Sequence, residues 1–477
     1  MEHIDIHCHS ILKSFLGKEE KTDSWSSYKA QPEIFFNILN SQSSFSQLKK
    51  GAVKLVVVVL HCVEREVLRN WYARFVARIV GRYDIPFLRD IINKKYSYRQ
   101  LLDMQIEHLR KIKGIKVINS IEEYEPDKNH LHVIASIEGA HNLYGKDSKS
   151  RENKDEIVLR NFSHYKKQGN PRLFYITPAH LVDNVLCTHA YAMKIIKDPT
   201  YMPKGCGLTS TGKRFIRNAL ENKTGKPVLI DIKHMSLQSR LEYYQLRREE
   251  FPDRPIIATH MGVTGISYKN IPVSSFTHSQ GEDFVGVDYL IPKGLGGTTF
   301  NPWSINLYDE DIEEIILSKG LIGIILDQRI LGLSINRKEY FSAEEFQNHY
   351  IHWMNLEADK QNVRQGIDLI KLITEKSQSI WHLKYLCNNI LHIVKVGERI
   401  IGEKVWDMLC LGSDNDGAIK TIKNCKTAAD YPKLKKGLLQ LLPEMAEEAG
   451  IKIKNISGKV NNIMYYNALN FLKKHYT

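Results

Sequence analysis

The chain has 477 residues, of which 43% are hydrophobic and 25% are charged, and its formal net charge is +13 at pH 7. This composition is typical of a globular protein with a large core. The chain contains no run of about 18 apolar residues, which excludes a membrane-spanning helix. Basic residues mostly alternate with acidic ones, and the lysine-rich stretch 423–436 carries no nucleic-acid-binding motif. The charge therefore predicts a solvated surface and no nucleic-acid partner.

The amino terminus and the cysteines both favour a cytoplasmic protein. The first six residues already have the pattern of a strand, which leaves no room for a signal peptide. Seven cysteines are scattered without repeated close spacing, as expected of reduced thiols rather than a disulfide framework.

Short β-rich segments alternate with helical patterns along the chain, which is typical of a parallel sheet with helical crossovers. Apolar residues at helical spacing predict helices over 31–48 and 311–319. Strands are predicted near 2–8, 52–60, 131–137, 172–177, 227–232, 255–259, 321–326 and 406–412. Eight strands with helical crossovers predict an α/β fold, specifically a (β/α)8 TIM barrel.

Three insertions decorate this plan. The segment 64–113 predicts two or three helices, 262–305 predicts a long loop because of its prolines and its glycine run, and 340–405 predicts further helices. The tail from 431 to 477 is expected to pack against the barrel. Because neither an internal repeat nor a low-complexity linker occurs, residues 1–477 are predicted to form a single domain.

Six residues with metal-binding side chains lie where the predicted strands end. They are His7 and His9 at the first strand, Glu138 at the third, His234 and His260 after the fifth and sixth, and Asp414 in a turn after the last. Barrel enzymes place their chemistry at the carboxyl ends of the strands, so these side chains are expected to converge. Histidines and carboxylates that converge from separate strands are typical of a catalytic metal site.

Strand geometry distinguishes two histidine pairs. Side chains two residues apart share a strand face, so His7 and His9 are predicted to point into the barrel, with Ile4, Ile6 and Cys8 turned outward toward helices. A second pair, in 130–132, precedes its strand at the opposite end of the barrel. That pair is predicted to be structural.

Two carboxylates have both a structural and a functional interpretation. Glu138 could be an ordinary acid at a strand-to-loop turn, but its two oxygens could also contact two cations at once. Asp414 lies in a turn rich in Asp, Asn and Gly, residues that favour such geometry by themselves. Its functional interpretation is a general base beside a metal-bound hydroxide.

The ordered series of motifs resembles the amidohydrolase superfamily, and within it the membrane dipeptidase (renal dipeptidase-like) family. The likeness covers most of the chain, and the ordered series is more specific than any single block. Beyond the opening strand, the matching blocks are 136–139, 175–180 with Asn184, 207–213, 230–236, 258–260, 412–417, 430–432 and 466–469.

This resemblance implies a metal-dependent amidohydrolase barrel with two divalent metal ions, expected to be Zn²⁺. His7, His9 and Glu138 would hold one ion, while Glu138, His234 and His260 would hold the other. One position departs from the family pattern, because His9 stands where the family has an aspartate. A neutral ligand there makes the site about one charge unit more positive.

The same resemblance implies roles for four further residues. Asp414 would accept a proton from the metal-bridging water, and His180 would polarise the scissile carbonyl and steady the oxyanion. His180 and Asn184 are expected to bind the substrate. The arginine that would clasp a substrate carboxylate is absent from its expected place, and Lys269 is the candidate to replace it.

Three functions follow from these observations. The first is a zinc-dependent metallohydrolase, a dipeptidase with a small dipeptide-like substrate, and the resemblance is compatible with a homodimer. The second is an amidohydrolase acting on a lactone, an N-acyl amino acid or another non-peptide substrate, which His9 and the absent arginine favour. The third is a non-catalytic barrel whose helical insertions bind a partner protein. That third function predicts an incomplete set of metal ligands, whereas every ligand position is filled.

Overall fold

The computed structural model describes residues 2–18, 24–27, 40–69, 83–145, 151–193, 198–278, 283–356, 363–364 and 375–477. The strands within these ranges are β1 (His3–Cys8), β2 (Val53–Leu60), β3 (Ile115–Val117), β4 (Leu131–Glu138), β5 (Leu173–Thr177), β6 (Leu229–Ile230), β7 (Ile257–Met261), β8 (Ile271–His278), β9 (Phe284–Tyr289), β10 (Ile291–Pro292), β11 (Leu321–Ile324), β12 (Lys338–Ser342), β13 (Met354–Asn355), β14 (Val363–Arg364) and β15 (Leu409–Leu411). The eight predicted strands are confirmed as β1, β2, β4, β5, β6, β7, β11 and β15.

Helices fill most of the intervals between these strands. They are α1 (Leu12–Phe15), α2 (Phe45–Lys50), α3 (Arg65–Arg69), α4 (Ile85–Ile92), α5 (Tyr98–Lys111), α6 (Arg151–Gln168), α7 (Ser210–Leu220), α8 (Leu237–Glu250), α9 (Asp309–Leu317), α10 (Gln328–Leu331), α11 (Ala343–Asn348), α12 (Glu375–Ile401), α13 (Tyr431–Glu448), α14 (Ile456–Asn461) and α15 (Asn467–His475). The helix predicted over 311–319 is confirmed as α9, and the helices of the first insertion as α3 to α5. Most of the helix predicted over 31–48 lies outside the described residues. Among the described helices, none has both the length and the apolar character needed to cross a lipid bilayer.

Two parallel sheets carry the eight predicted strands, so the α/β alternation is confirmed. The first has the order β1-β2-β4-β5-β6, with β3 beside β4, and it curls into half a barrel. The second has the order β15-β11-β7. Single parallel bridges join Asp231 to Ile257 and Cys8 to Asn415, between the edges of the two sheets. The carboxyl ends of all eight strands therefore face the same side of the molecule.

Both faces of the parallel strands are buried. Val57 of β2 packs in one apolar cluster with Leu469 and Leu472 of α15, whereas Val56 and Val58 pack in a second cluster with the surrounding helices. A strand covered on both faces is typical of a parallel sheet with helical crossovers. The predicted packing of the carboxy-terminal tail against the strands is confirmed for α15.

The first strand departs from simple alternation. Ile4 and Ile6 pack with Val57, Leu229 and Ile257 of the other parallel strands, so the prediction that they turn outward toward helices is wrong for them. It is confirmed for Cys8, which packs in the second cluster with the surrounding helices. The register of β1 on β2 shifts beyond Asp5, whose carboxylate accepts a hydrogen bond from the His7 N–H at 3.2 Å. This local irregularity breaks the two-residue repeat on which the prediction rests.

The insertion over 262–305, predicted to be a long loop, contains β-structure, so that prediction is wrong. Its strands β8 and β9 belong to a sheet with the order β12-β9-β8-β13. Val285, Val287 and Tyr289 alternate along β9 and face an apolar cluster, which is the two-residue repeat of a half-buried strand. The third insertion contributes β12 to this sheet and is helical, as predicted, at α11 and α12.

A buried ion pair connects α8 to α9. The guanidinium of Arg240, whose side chain has no exposed surface, places Nε 3.0 Å from Oδ1 of Asp311 and Nη2 2.8 Å from Oδ2. Asp311 also accepts a hydrogen bond from the hydroxyl of Tyr244 at 2.7 Å. Each charge is therefore neutralised only by its partners inside the protein.

We expect Arg240→Met to lower the free energy of unfolding by about 3–5 kcal/mol, because it leaves the carboxylate of Asp311 buried without its partner. Urea titrations followed by circular dichroism measure this loss. Arg217→Met is the control, since it removes an ion pair with Glu250 on the surface and is expected to cost less than about 1 kcal/mol. Equal losses in the two variants would contradict the prediction.

Candidate metal centre

The strand ends bring the six predicted residues to one side of the parallel sheets. His7 and His260 lie within β1 and β7, Glu138 is the last residue of β4, and His9, His234 and Asp414 follow β1, β6 and β15. His234 and Asp414 have left-handed backbone conformations, with φ of 65° and 60°. Such strain in a residue other than glycine costs about 1–3 kcal/mol and occurs most often at functional sites.

Glu138 lies at the centre of this group, and its side chain is 3% exposed. Measured from each Nε2 to the nearer carboxylate oxygen, its imidazole neighbours are His9 (3.2 Å), His234 (3.4 Å), His260 (3.4 Å), His7 (3.6 Å) and His180 (3.6 Å). One buried carboxylate is thus surrounded by five imidazoles.

Hydrogen bonds behind two of the rings fix which nitrogen faces Glu138. Oγ1 of Thr259 lies 2.8 Å from Nδ1 of His260 and 3.0 Å from Nδ1 of His7, and it donates to Oδ2 of Asp231 at 2.7 Å. Because its own proton goes to Asp231, this hydroxyl is left to accept an imidazole N–H. The Nε2 atoms then carry free lone pairs, as in histidines whose second nitrogen is held by an outer partner. Thr259 and Asp231 are absent from the predicted set.

Asp414 contacts two of the same imidazoles. Its Oδ1 lies 3.4 Å from Nε2 of His9 and 3.9 Å from Nε2 of His7, and its N–H donates to the carbonyl oxygen of His7 at 2.9 Å. A Cβ at Gly417 would lie 2.0 Å from this Oδ1, so the turn after β15 requires glycine there. The turn thereby holds the carboxylate beside the two histidines of β1.

The donor atoms of the group fit a metal site. Among the described residues, Nε2 of His7, Nε2 of His9 and Oε1 of Glu138 are buried without a hydrogen-bond partner, which is unfavourable for polar atoms. Tetrahedral ligands about 2.0–2.1 Å from a zinc ion are roughly 3.4 Å apart. The separations of 3.2–3.6 Å around Glu138 have this size. Imidazole nitrogens and carboxylate oxygens are also donors that zinc accepts.

Burial keeps three of the imidazoles neutral. It lowers the pKa of His234 to about 3 and holds the pKa of His7 and the pKa of His260 well below their usual range. A neutral imidazole offers the lone pair that a metal ligand needs.

The charge of the site is carried by the two carboxylates and by His9. Burial raises the pKa of Glu138, but the surrounding imidazoles, His180 foremost, outweigh this effect and hold that pKa well below the usual range. Burial lowers the pKa of His9, yet the neighbouring carboxylates of Asp414 and Glu138 raise it to about 10. Burial raises the pKa of Asp414 to about 6, against the opposing effect of His9.

The predicted catalytic residue His180 is hydrogen-bonded to Glu64, a residue that is absent from the predicted set. Its Nδ1 lies 2.5 Å from Oε1 of Glu64, which follows β2, and its Nε2 faces Glu138. His61, also after β2, places Nδ1 3.1 Å from the carbonyl oxygen of Glu138. The position of Glu64 just beyond a predicted strand is the same signal that identifies the other site residues.

The two remaining predicted substrate ligands are engaged elsewhere. The amide of Asn184 accepts hydrogen bonds from the N–H groups of Leu186 and Cys187 and donates to the carbonyl of Cys187, so it closes its own turn. Lys269 is exposed, and its ammonium lies 6.0 Å from the centre of the Tyr268 ring. Within the described residues, neither side chain has a hydrogen bond or ion pair to the imidazole group.

Comparison with known proteins places the chain by its fold. No protein-family model and no curated protein matches the sequence. One similar solved structure is a metallopeptidase from Rhodobacter sphaeroides liganded with a phosphinate mimic of the dipeptide L-Ala-D-Ala, with 13% sequence identity, a TM-score of 0.55, and coverage of 100% of this chain and 99% of that one. A second is the dipeptidase AC, a metallopeptidase of family M19, with 14% identity, a TM-score of 0.52, and coverage of 100% and 99%. A third is the probable dipeptidase PvdM from Pseudomonas aeruginosa, with 12% identity, a TM-score of 0.53, and coverage of 100% and 96%. The resemblance that the sequence motifs indicate is therefore confirmed for the fold, and this chain has the α/β fold of dipeptidase-type metallopeptidases.

Proposed function

We propose that the protein is a metal-dependent hydrolase that cleaves an amide bond, with a dipeptide as its substrate. The observation that carries this proposal is the buried carboxylate of Glu138 with five imidazole Nε2 atoms within 3.6 Å. A structural core pairs such nitrogens with hydrogen-bond partners, whereas a metal site leaves them facing a common point. One protein of the same fold is liganded with a dipeptide mimic, which favours the same substrate class here.

Two ligand sets that share Glu138 would hold two divalent cations, with Zn²⁺ as the first candidate. His7, His9 and Glu138 form one set, and Glu138, His234 and His260 form the other. When bound, such cations would lower the pKa of a water molecule toward neutrality and so supply a nucleophile near neutral pH. The neutral imidazoles and the anionic Glu138 supply the donors that this role requires.

Two further side chains would take part in the cleavage, one by transferring a proton and the other by stabilising negative charge. Asp414 lies beside the ligand group and would take a proton from the attacking water and pass it to the leaving amine. Burial lowers the pKa of His180, but the carboxylates of Glu64 and Glu138 raise it above its usual value, which favours a ring protonated on both nitrogens. His180 turns its Nε2 toward Glu138 and would donate the proton on that nitrogen in a hydrogen bond to the oxyanion that forms at the substrate carbonyl. A well-oriented donor at that point contributes about 3–4 kcal/mol.

We also infer that the two parallel sheets close into one (β/α)8 barrel and that residues 1–477 form a single domain. The parallel bridges from Asp231 to Ile257 and from Cys8 to Asn415 support this closure, because they connect the free edges of the two sheets. Closure gathers the ends of eight strands around one opening, which is where barrel enzymes bind their substrates.

A second candidate substrate class follows from the composition of the ligand set. An imidazole, His9, stands where the resembling family has an aspartate, and Lys269 lies on the surface rather than among the imidazoles. Hydrolysis of a lactone or an N-acyl amino acid would use the same ligands and the same general base, and a lactone has no free carboxylate for a cationic side chain to bind.

The test is an assay of the full chain with and without added Zn²⁺, Mn²⁺ or Co²⁺ against panels of dipeptides, N-acyl amino acids and lactones. We expect hydrolysis of dipeptides that depends on the cation and stops after chelation. Turnover of the other panels alone would select the second substrate class. A protein that binds two cations per chain and hydrolyses no member of any panel would overturn the proposed function.

A further inference from the structure

A second polar group lies beside the proposed metal ligands, in the loop after β2. At its centre is Glu64, which is 1% exposed. Its Oε1 lies 2.5 Å from Nδ1 of His180, and its Oε2 lies 3.6 Å from Nε2 of His61. None of the roles derived above uses Glu64, although a buried carboxylate is costly unless its partners are well placed.

The contact between Glu64 and His180 is a hydrogen bond and not half of another metal site. Two tetrahedral ligands of one zinc ion are roughly 3.4 Å apart, whereas a charge-assisted hydrogen bond from an N–H to a carboxylate is about 2.7–2.9 Å long, and the contact of Glu64 with His180 is no longer than that. A cation therefore has no room between these two atoms. The Nδ1–H of His180 donates to the carboxylate.

This hydrogen bond determines where the other nitrogen of His180 points. The two nitrogens occupy fixed positions on a rigid ring, so a hydrogen bond that holds Nδ1 also restricts the direction in which Nε2 points. In the structure that Nε2 lies 3.6 Å from Oε2 of Glu138, and the ring centre is 4.5 Å from the ring centre of His234. His180 is thus held with its free edge toward the proposed reaction centre.

Glu64 is itself held by rigid elements. Gln105 of α5 accepts the His61 N–H at 3.0 Å and donates to the His61 carbonyl at 2.8 Å, which pins the backbone where β2 ends. Asn142 accepts the N–H of Cys62 at 2.7 Å and donates to the carbonyl of Glu138. The loop that carries Glu64 and the strand that carries Glu138 are therefore fixed relative to each other.

We propose that Glu64 is the positioning residue of His180: its carboxylate orients the imidazole so that Nε2 faces the substrate carbonyl at the site of cleavage. This inference rests on the proposed function for its catalytic consequence, while the hydrogen bond itself can be observed without turnover. Side chains that orient a functional histidine typically change activity by about 10- to 100-fold when they are replaced.

The direct test is proton NMR of the zinc-loaded full chain labelled with ¹⁵N-histidine. We expect an imidazole N–H resonance far downfield that is absent in His180→Asn, because a short hydrogen bond to a carboxylate deshields its proton. In Glu64→Gln this resonance is expected to move upfield, since a neutral amide oxygen is a weaker acceptor. A resonance of His180 that is unchanged in Glu64→Gln, or a wild-type spectrum without any downfield resonance from His180, would overturn the proposal.

Kinetics test the consequence of the hydrogen bond. Glu64→Gln is expected to lower kcat by about 10- to 100-fold, with KM changed by no more than a few-fold and zinc content equal to that of the wild type. In the His180→Asn background the same substitution is expected to have little further effect, because its target is gone. If the fold loss of kcat in the double variant equalled the product of the losses in the two single variants, Glu64 would act independently of His180, and the positioning role would be overturned.

A matched control separates this role from the general cost of neutralising a buried carboxylate. Glu339 of β12 is fully buried and accepts hydrogen bonds from Ser304 and Tyr289. Glu339→Gln is expected to leave both the downfield resonance and kcat unchanged. If the wild type bound zinc without hydrolysing any substrate but showed a resonance that Glu64→Gln shifts, the proposed function would fail while the pairing of Glu64 with His180 would stand.

Discussion

Glu138→Gln is expected to abolish hydrolysis and to weaken both cation sites together. Glu138 is shared by the two proposed ligand sets, so the substitution removes a negative charge from each, and an amide oxygen is a poorer ligand than a carboxylate. The chemistry that bound cations supply is worth several kcal/mol, which corresponds to a loss of about 10³-fold or more in kcat. Metal analysis after dialysis and calorimetric titration with Zn²⁺ measure the binding, and the dipeptide assay measures the turnover.

The control for this prediction is again Glu339→Gln, which changes a residue of β12. It is expected to retain two cations per chain and its turnover. Replacing a ligand that belongs to only one set, as in His234→Asn, is expected to weaken one site more than the other. Undiminished binding of two cations by Glu138→Gln would contradict the central place assigned to this carboxylate.

The parallel strands could be predicted because burial on both faces leaves a simple pattern. The run from Val53 to Leu60 is almost entirely apolar, as expected for a strand between two layers. The orientation of Ile4 and Ile6 could not be predicted, because it depends on a register shift and a hydrogen bond to Asp5 that no repeat in the sequence encodes. The strands β8 and β9 were likewise not predicted, because the prolines and glycines of 262–305 favour a loop and the alternating apolar pattern there is short.

The candidate site could be predicted where position along a strand carries the information. Two His-x-His pairs occur, and their places relative to the strands distinguish them: His7 and His9 converge on Glu138, while His132 accepts the N–H of Glu125 near the start of β4. Glu64 shows the limit of that reasoning. Its function depends on His180, 116 residues further along the chain, and only the folded structure brings them together.

The residues that hydrogen-bond to the proposed ligands could not be predicted either, because their role also depends on tertiary contacts. Thr259 and Asp231 lie within the predicted strand regions and give no signal by residue type, because threonine and aspartate have many structural uses. Their role appears only when the hydroxyl of Thr259 is seen between two imidazoles and one carboxylate. A ligand set can therefore be inferred from strand ends, whereas the groups that orient it require tertiary contacts.

Asp414→Asn is expected to lower kcat by about 10²- to 10⁴-fold while two cations remain bound, because general acid–base catalysis contributes about that much and an amide cannot accept the proton. Asparagine keeps the size of the side chain and can preserve the turn that Gly417 permits. Asp416→Asn is the matched control two residues away, since its carboxylate is bound by Lys13 and by the N–H of Gln42. That control is expected to lose about 1–3 kcal/mol of stability and to retain its turnover. Unchanged kcat in Asp414→Asn, or equal losses in both variants, would exclude Asp414 as the general base.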